Sequence, residues 1–157
     1  MSTDASEVLA GQADVVDAVL AASRVFVAVA SNALAGMTPE VTLPQFRVLV
    51  LLDGHGAMTV ADLAEELGVA PSTASRMCDR LVAKKLVRRS LDRRNRRRVR
   101  LTLLAAGRAL IASSTLRRKQ QIGKLLRTIP PREQQRLANA LGVLVAAAET
   151  SGHSALR

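Results

Sequence analysis

Between Arg88 and Arg100 the chain carries eight arginines (Arg88, Arg89, Arg93, Arg94, Arg96, Arg97, Arg98 and Arg100) against one acid, Asp92. This window holds a net +7 of the formal +10 carried by the 157 residues. Guanidinium groups pair with phosphates and displace their counterions, so the chemistry offered is recognition of a polyanion rather than bond-making. Just upstream, the run PSTASRMCDR brings Ser72, Thr73, Ser75, Arg76 and Arg80 together behind Pro71. Hydroxyls at such spacing reach phosphates or base edges, and an arginine can donate two bonds to a guanine edge. The chain has only two aromatic residues, Phe26 and Phe46, and no Trp or Tyr. Single strands and unpaired bases are usually held by stacking on aromatic rings, so the expected partner is double-stranded DNA.

Other chemistries find little support. There is no G-x-S-x-G, no phosphate-loop motif and no H-E-x-x-H, and the carboxylates fall on solvent-facing helix positions. Gly54-His55-Gly56 lacks both a preceding strand and a following lysine, so it reads as a turn. His55, His153 and Cys78 are the only soft metal ligands and none are paired at a zinc spacing. No enzyme activity, metal or cofactor is expected. No apolar run reaches the roughly 18 residues of a spanning helix, and MSTDASE lacks the basic flank of a signal peptide. The expected setting is cytoplasmic, without a membrane partner.

The elements that must position these groups are mostly helical. From Ser6 to about Ala35, Val15, Val16, Val19, Leu20, Ala22, Val25, Phe26, Val29 and Ala30 recur at three- and four-residue spacing, with Asp14, Asp17 and Arg24 on the other face. A helix that long carries more apolar surface than one small core covers, so part of it is expected to meet a second chain. A second helix starts at Thr42-Leu43-Pro44, with Phe46, Val50 and Leu51 inward, and ends at Asp53-Gly54-His55-Gly56. Thr59 can cap a helix over Val60 to Leu67, with Asp62 completing the box. Gly68, Val69 and Ala70 form a tight turn and Pro71 opens the next helix, which gives a helix-turn-helix. At about 100° per residue, Ala74, Cys78, Leu81 and Lys85 lie on one side of that helix and Ser72, Arg76, Asp79 and Arg80 on the other.

After Leu86 the pattern alternates. Val87 to Ser90 reads as a strand, Asp92 to Arg97 as a turn, and Arg98 to Leu103 as a returning strand with Val99, Leu101 and Leu103 inward. This is a basic wing. A helix follows from Ala105 to about Arg127, stopped by Pro130-Pro131. The last helix, Arg132 to Glu149, repeats Leu137, Leu141, Leu144 and Ala148 at coiled-coil-like spacing, suited to packing at a dimer.

The blocks LPQFRVL (43–49), TVADLAEELGVAPSTASRMCDRLVAKKLVRR (59–89), and DRRNRRRVRLTL with AAGRAL (92–110) resemble the MarR family of multiple-antibiotic-resistance regulators. The resemblance covers about residues 15 to 150, with the middle block the most specific. It implies a mainly α fold with a small two-stranded β wing, a winged helix-turn-helix in each subunit of a homodimer, and interlocked terminal helices. Residues 1–36 and 105–157 would then form the helical dimerisation region and 37–104 the DNA-binding domain. In many members a small-molecule pocket lies between the two. Ser75 and Arg76 match the family's Ser/Thr-Arg pair, and Asp92, Arg94 and Arg97 match its Asp-x-Arg-Asp-x-Arg wing, with Asn95 replacing the second acid. Lys85 stands where the family usually has Gly; in a left-handed backbone it costs on the order of 1 kcal/mol. Leu104 replaces a capping Thr, weakening that helix start by about 1 kcal/mol.

The DNA-contacting residues expected on this basis are Ser72, Thr73, Ser75, Arg76, Arg80, Asp92, Arg94, Arg96 and Arg97. The wing would supply phosphate affinity and, through Arg94, reach a narrow minor groove; the helix would supply base specificity. The expected activity is a transcriptional regulator, a repressor binding a pseudo-palindromic operator, released by a small-molecule effector. Two alternatives are a sequence-tolerant architectural DNA coater and a thiol-based redox sensor acting through Cys78.

Overall fold

The computed structural model describes residues 3–91 and 99–150. The described chain comprises helices α1 (Thr3–Leu34), α2 (Leu43–His55), α3 (Val60–Leu67) and α4 (Pro71–Ala83), strands β1 (Val87–Leu91) and β2 (Val99–Leu103), and helices α5 (Ala105–Leu126) and α6 (Pro131–Thr150). This is the mainly α, winged helix-turn-helix architecture that the residues imply. The two strands pair antiparallel, Val87 opposite Leu103 and Leu91 opposite Val99.

Local chemistry sets the helix ends. Thr42 and Gln45 exchange the reciprocal bonds of a capping box at α2, and Thr59 and Asp62 do the same at α3. α3 ends with Gly68 in a left-handed conformation (φ 65°), where the Gly68 amide meets the Glu65 carbonyl and the Val69 amide meets that of Ala64. Two such bonds reverse the chain in a Schellman closure. α4 closes the same way: the Lys85 amide bonds Val82 O at 2.9 Å and the Leu86 amide bonds Leu81 O at 3.0 Å. Here the left-handed residue is Lys85, φ 57°, the one non-glycine with positive φ among the described residues. The backbone conformation feared for Lys85 is therefore present. Its place on the inward stripe is not: Lys85 lies past the end of α4 and is exposed, because the closure turns the chain away from the helix face.

One core joins α2, α3, α4, the sheet and the start of α5. Val48, Leu49, Leu51, Leu52, Leu63, Cys78, Leu81, Leu86, Val87 and Leu101 are its fully enclosed members. α2 is buried on most sides, adding Val48, Leu49 and Leu52 to the expected Phe46 and Leu51, while Val50 packs only partly. Met58 exchanges backbone bonds with Leu101 (3.1 and 2.7 Å), so β2 is flanked on both sides. This lets Leu101 sit at zero exposure. Val99, expected to face inward, is exposed. It shares the face of Leu101 and Leu103 but lies beyond the edge of the core, opposite the exposed Leu91.

Gly107 fixes how α5 meets this core. A Cβ there would lie 2.5 Å from Leu103 Cδ1 and 2.6 Å from the Leu86 carbonyl oxygen, which already accepts the Leu104 amide at 2.9 Å. The helix start therefore rests directly on the strand entry. Leu104 makes no side-chain cap, as its type implies.

The terminal helices differ in character. α1 leaves Val15, Val16, Val19, Leu20, Val25, Phe26 and Val27 exposed, and α6 buries no residue while exposing Leu137, Val143, Leu144 and Val145. With the end of α5 they line an apolar groove of about 710 Å³. Compared with expectation, α1 starts earlier, α2 runs on to His55 before Gly56 breaks it, and α6 begins at Pro131. No described helix is long and apolar enough to cross a membrane.

Candidate nucleic-acid interface

The helix-turn-helix presents α4 with its small, inward stripe of Ala74, Cys78 and Leu81 sealed against the core. The opposite side is polar. Ser72, Arg76 and Arg80 are exposed, and Thr73 and Ser75 are half-buried beside them. Among the described residues, the side chains of Arg76 and Arg80 make no hydrogen bond or ion pair, so both guanidinium groups keep their donors for a partner. The helix opens without a side-chain cap because Ala70 has no group to accept a bond. Pro71 has no N–H and the Thr73 amide bonds the Ala70 carbonyl at 2.9 Å, which leaves the Ser72 amide at the helix start, where an anion is favoured by the helix dipole.

Asp79 sits on this same polar side, and its carboxylate accepts from Arg89 of β1 at 2.7 Å. The pair is exposed, so its effect on stability is small; it links the outer side of α4 to the wing's first strand, which the buried Leu86 and Val87 seat on the core. Sequence reasoning set Asp79 on the outer face without a partner. The available signal was its position as the one acid in α4, followed by alternating arginines in β1. Arg88 is exposed on β1, and Arg100 of β2 donates to the Ala57 carbonyl at 3.1 Å, which spends part of its fork inside the fold. Asp92, Arg94, Arg96 and Arg97, the wing residues expected to meet DNA, lie outside the described residues.

Cys78 is enclosed on the inward side of α4, and desolvation by burial pushes its thiol above the ordinary range, with Arg89 pulling it down and Asp79 up. Burial outweighs the arginine, so a thiolate is disfavoured there. Among the described residues no group of three or more His, Cys, Asp or Glu side chains is arranged to hold a metal ion.

The site thus combines free guanidinium and hydroxyl groups on one helix face with a basic strand pinned beside it, an arrangement that fits the major groove of duplex DNA. Comparison with known proteins agrees with this geometry. A sequence profile described as "MarR family" matches residues 41–99. The HTH-type transcriptional repressor MdtR of Bacillus subtilis (strain 168) is 32% identical over 115 residues, covering 73% of this chain and 72% of that protein. Among solved structures, RV1404 from Mycobacterium tuberculosis superimposes with a TM-score of 0.79 at 36% identity, over 91% of this chain and 95% of that one. BpsR of Bordetella bronchiseptica, described as regulated in DNA binding by 6-hydroxynicotinic acid, has a TM-score of 0.59 at 26% identity, over 84% and 98% of the two chains.

Proposed function

From the premise that this chain belongs to the MarR family of transcriptional regulators, we propose that it works as a homodimeric repressor that binds a pseudo-palindromic operator and is released by a small-molecule effector. The observation that carries the DNA reading is the outer side of α4. Arg76 and Arg80 stand free beside Ser72 while Ala74, Cys78 and Leu81 on the inner side are sealed. Arg76 is assigned the bidentate contact to a guanine edge. Ser72, Thr73, Ser75 and Arg80 are assigned to flanking bases and phosphates. Arg94, Arg96 and Arg97 of the wing are assigned phosphate and minor-groove contacts, with Asp92 beside them in the sequence.

Residues 37–104 are assigned to DNA and residues 1–36 with 105–157 to the dimer. The support for the second assignment is the apolar groove between α1, α5 and α6. Its exposed valines and leucines need a cover, and helices of the same type from a second copy provide it. A two-fold dimer offers its two α4 helices to successive turns of one duplex face. A ligand that prefers a dimer with mismatched helix spacing lowers operator affinity by its difference in affinity for the two forms. MdtR is named a repressor and BpsR is described as ligand-regulated, which is why repression and release are included here.

The test is a ratio of affinities. Duplexes selected from a random pool by the purified chain are expected to bind at least about 10³-fold more tightly than unselected duplex at the same salt. Equal affinity for both would overturn the reading.

A further inference from the structure

The loop joining α1 to α2, residues 35–42, is held from two sides. From α5, Arg117 Nη1 donates to the Ala35 carbonyl at 2.9 Å. From the end of α4, the Lys84 ammonium donates to the Glu40 carbonyl and, at 3.3 Å, to Gln45 Oε1. Gln45 is 3% exposed, and the same Oε1 accepts the Thr42 amide that completes the α2 capping box. The two bonds fill both lone pairs of a buried amide oxygen, and one of them is charge-assisted. Lys84 itself is fixed at its root: it is the C-cap of α4, its amide bonded to Arg80 O at 3.1 Å and the Schellman closure following at once. The trailing end of α4 is thereby tied to the segment that leaves α1, just as its outer side is tied to the wing through Asp79 and Arg89.

We propose that Lys84 is a positioning residue for DNA recognition. It does not touch DNA: its ammonium is turned into the fold and two of its three donors are used there. What it sets is the placement of α4 relative to α1, and hence, in a dimer joined through α1, α5 and α6, the distance and twist between the two α4 helices. This inference rests on the proposed operator-binding dimer. It adds that the spacing is held by a lysine strap from the end of α4 to the α1–α2 loop and the start of α2 rather than by apolar packing alone. Removal of the strap loosens spacing without removing any DNA contact.

The test compares the wild-type chain with Lys84→Met, which keeps the aliphatic stem, Lys84→Arg, which keeps a charged donor, and Lys85→Met, which removes an equal charge one residue away. Lys84 is half-exposed at a helix end, so folding is not at stake in these changes. Each protein is titrated with a duplex selected by the wild type, with versions of it lengthened or shortened by one base pair at the centre, and with unselected duplex over a range of salt. A one-base-pair change turns one half-site by about 35° relative to the other. Lys84→Met is expected to lose about tenfold in affinity for the selected site and to change less than about twofold on unselected duplex, with an unchanged salt slope. The penalty for altered spacing should shrink, and Lys84→Arg should restore both properties. Equal losses on all duplexes with the salt slope reduced by about one would make Lys84 a phosphate contact and overturn the inference. So would a Lys84→Met protein indistinguishable from Lys85→Met. Failure of the wild type itself to discriminate would instead remove the operator reading, and this inference with it.

Discussion

Gly107→Ala sets two effects of opposite sign against each other within α5. Helix propensity favours alanine over glycine by about 0.8–1 kcal/mol in a helix interior, and by less in a first turn such as this. Against that stands the contact geometry: the added methyl would lie 2.6 Å from the Leu86 carbonyl oxygen and 2.5 Å from Leu103 Cδ1. The leucine end can rotate, but the carbonyl cannot easily retreat. It accepts the Leu104 amide at 2.9 Å, and the Leu86 amide is itself held in the α4 closure at 3.0 Å. Ordinary contact requires a separation near 3.4 Å, so α5 or the strand entry must shift by several tenths of an ångström, and overpacking of this kind costs about 1–3 kcal/mol. The contact term wins, and the net expectation is destabilisation by about 1–2 kcal/mol. At this chain length that corresponds to a fall in Tm of about 2–8 °C. Gly123→Ala is the internal control. It lies in the same helix with nothing within 4 Å of an added Cβ, so only the propensity term acts and Tm should rise by about 2–4 °C. Both are read by circular dichroism melts at one protein concentration. Equal shifts for the two variants, or stabilisation by Gly107→Ala, would refute the claim that α5 is seated on the Leu86 carbonyl.

Other expectations follow from the same structure. Lys85→Gly removes the left-handed strain at φ 57°, and after the entropy cost of glycine should stabilise by up to about 0.5 kcal/mol in a urea titration; clear destabilisation would contradict the closure drawn at the end of α4. Arg76→Ala should cost about 1–3 kcal/mol on a selected duplex and relax base preference at one position in each half-site, whereas loss of a wing phosphate contact weakens all duplexes alike. Asp79→Asn frees Arg89 from its 2.7 Å partner and removes a negative charge from the α4 face. Affinity for unselected duplex should rise, the ratio of specific to non-specific binding should fall, and the melting curve should move little because the pair is exposed. Burial raises the Cys78 thiol above its ordinary 9.0, so on raising the pH the unfolded chain releases this proton before the folded one does. Folding stability should therefore decline as pH rises past that ordinary value. A Cys78→Ala protein should lack this part of the decline, and identical pH profiles for the two would argue against the assigned burial effect.

Much of the fold could be read because short-range chemistry governs it. Thr59 with Asp62, Gly68, Pro71 and the alternation of Val87, Leu101 and Leu103 each fix a local conformation within a few residues, and the structure places helix ends and strands accordingly. Lys85 illustrates both sides. The resemblance, with its usual Gly at this position, raised a left-handed backbone there, but the side chain was misplaced because an ideal helical wheel takes no account of where the closure ends the helix. Contacts between distant segments carried no such signal. Met58 beside β2 and the Lys84 bonds to the α1–α2 loop join residues more than thirty-five positions apart in sequence. Val99 was misjudged because alternation tells which face a residue shares, not how far the covering core extends. The outward set of α4 was legible as a pattern of types, whereas its organisation around Asp79 required the structure.

The account's central claim is that two copies of α4, held at a fixed separation, read one face of a duplex. Its most direct measurement is methylation interference on a selected duplex, combined with sedimentation of the complex. Two chains per duplex and two guanine-centred clusters of interference about 10 base pairs apart are the predicted result. A single cluster with one chain bound, or uniform interference along the fragment, would contradict it.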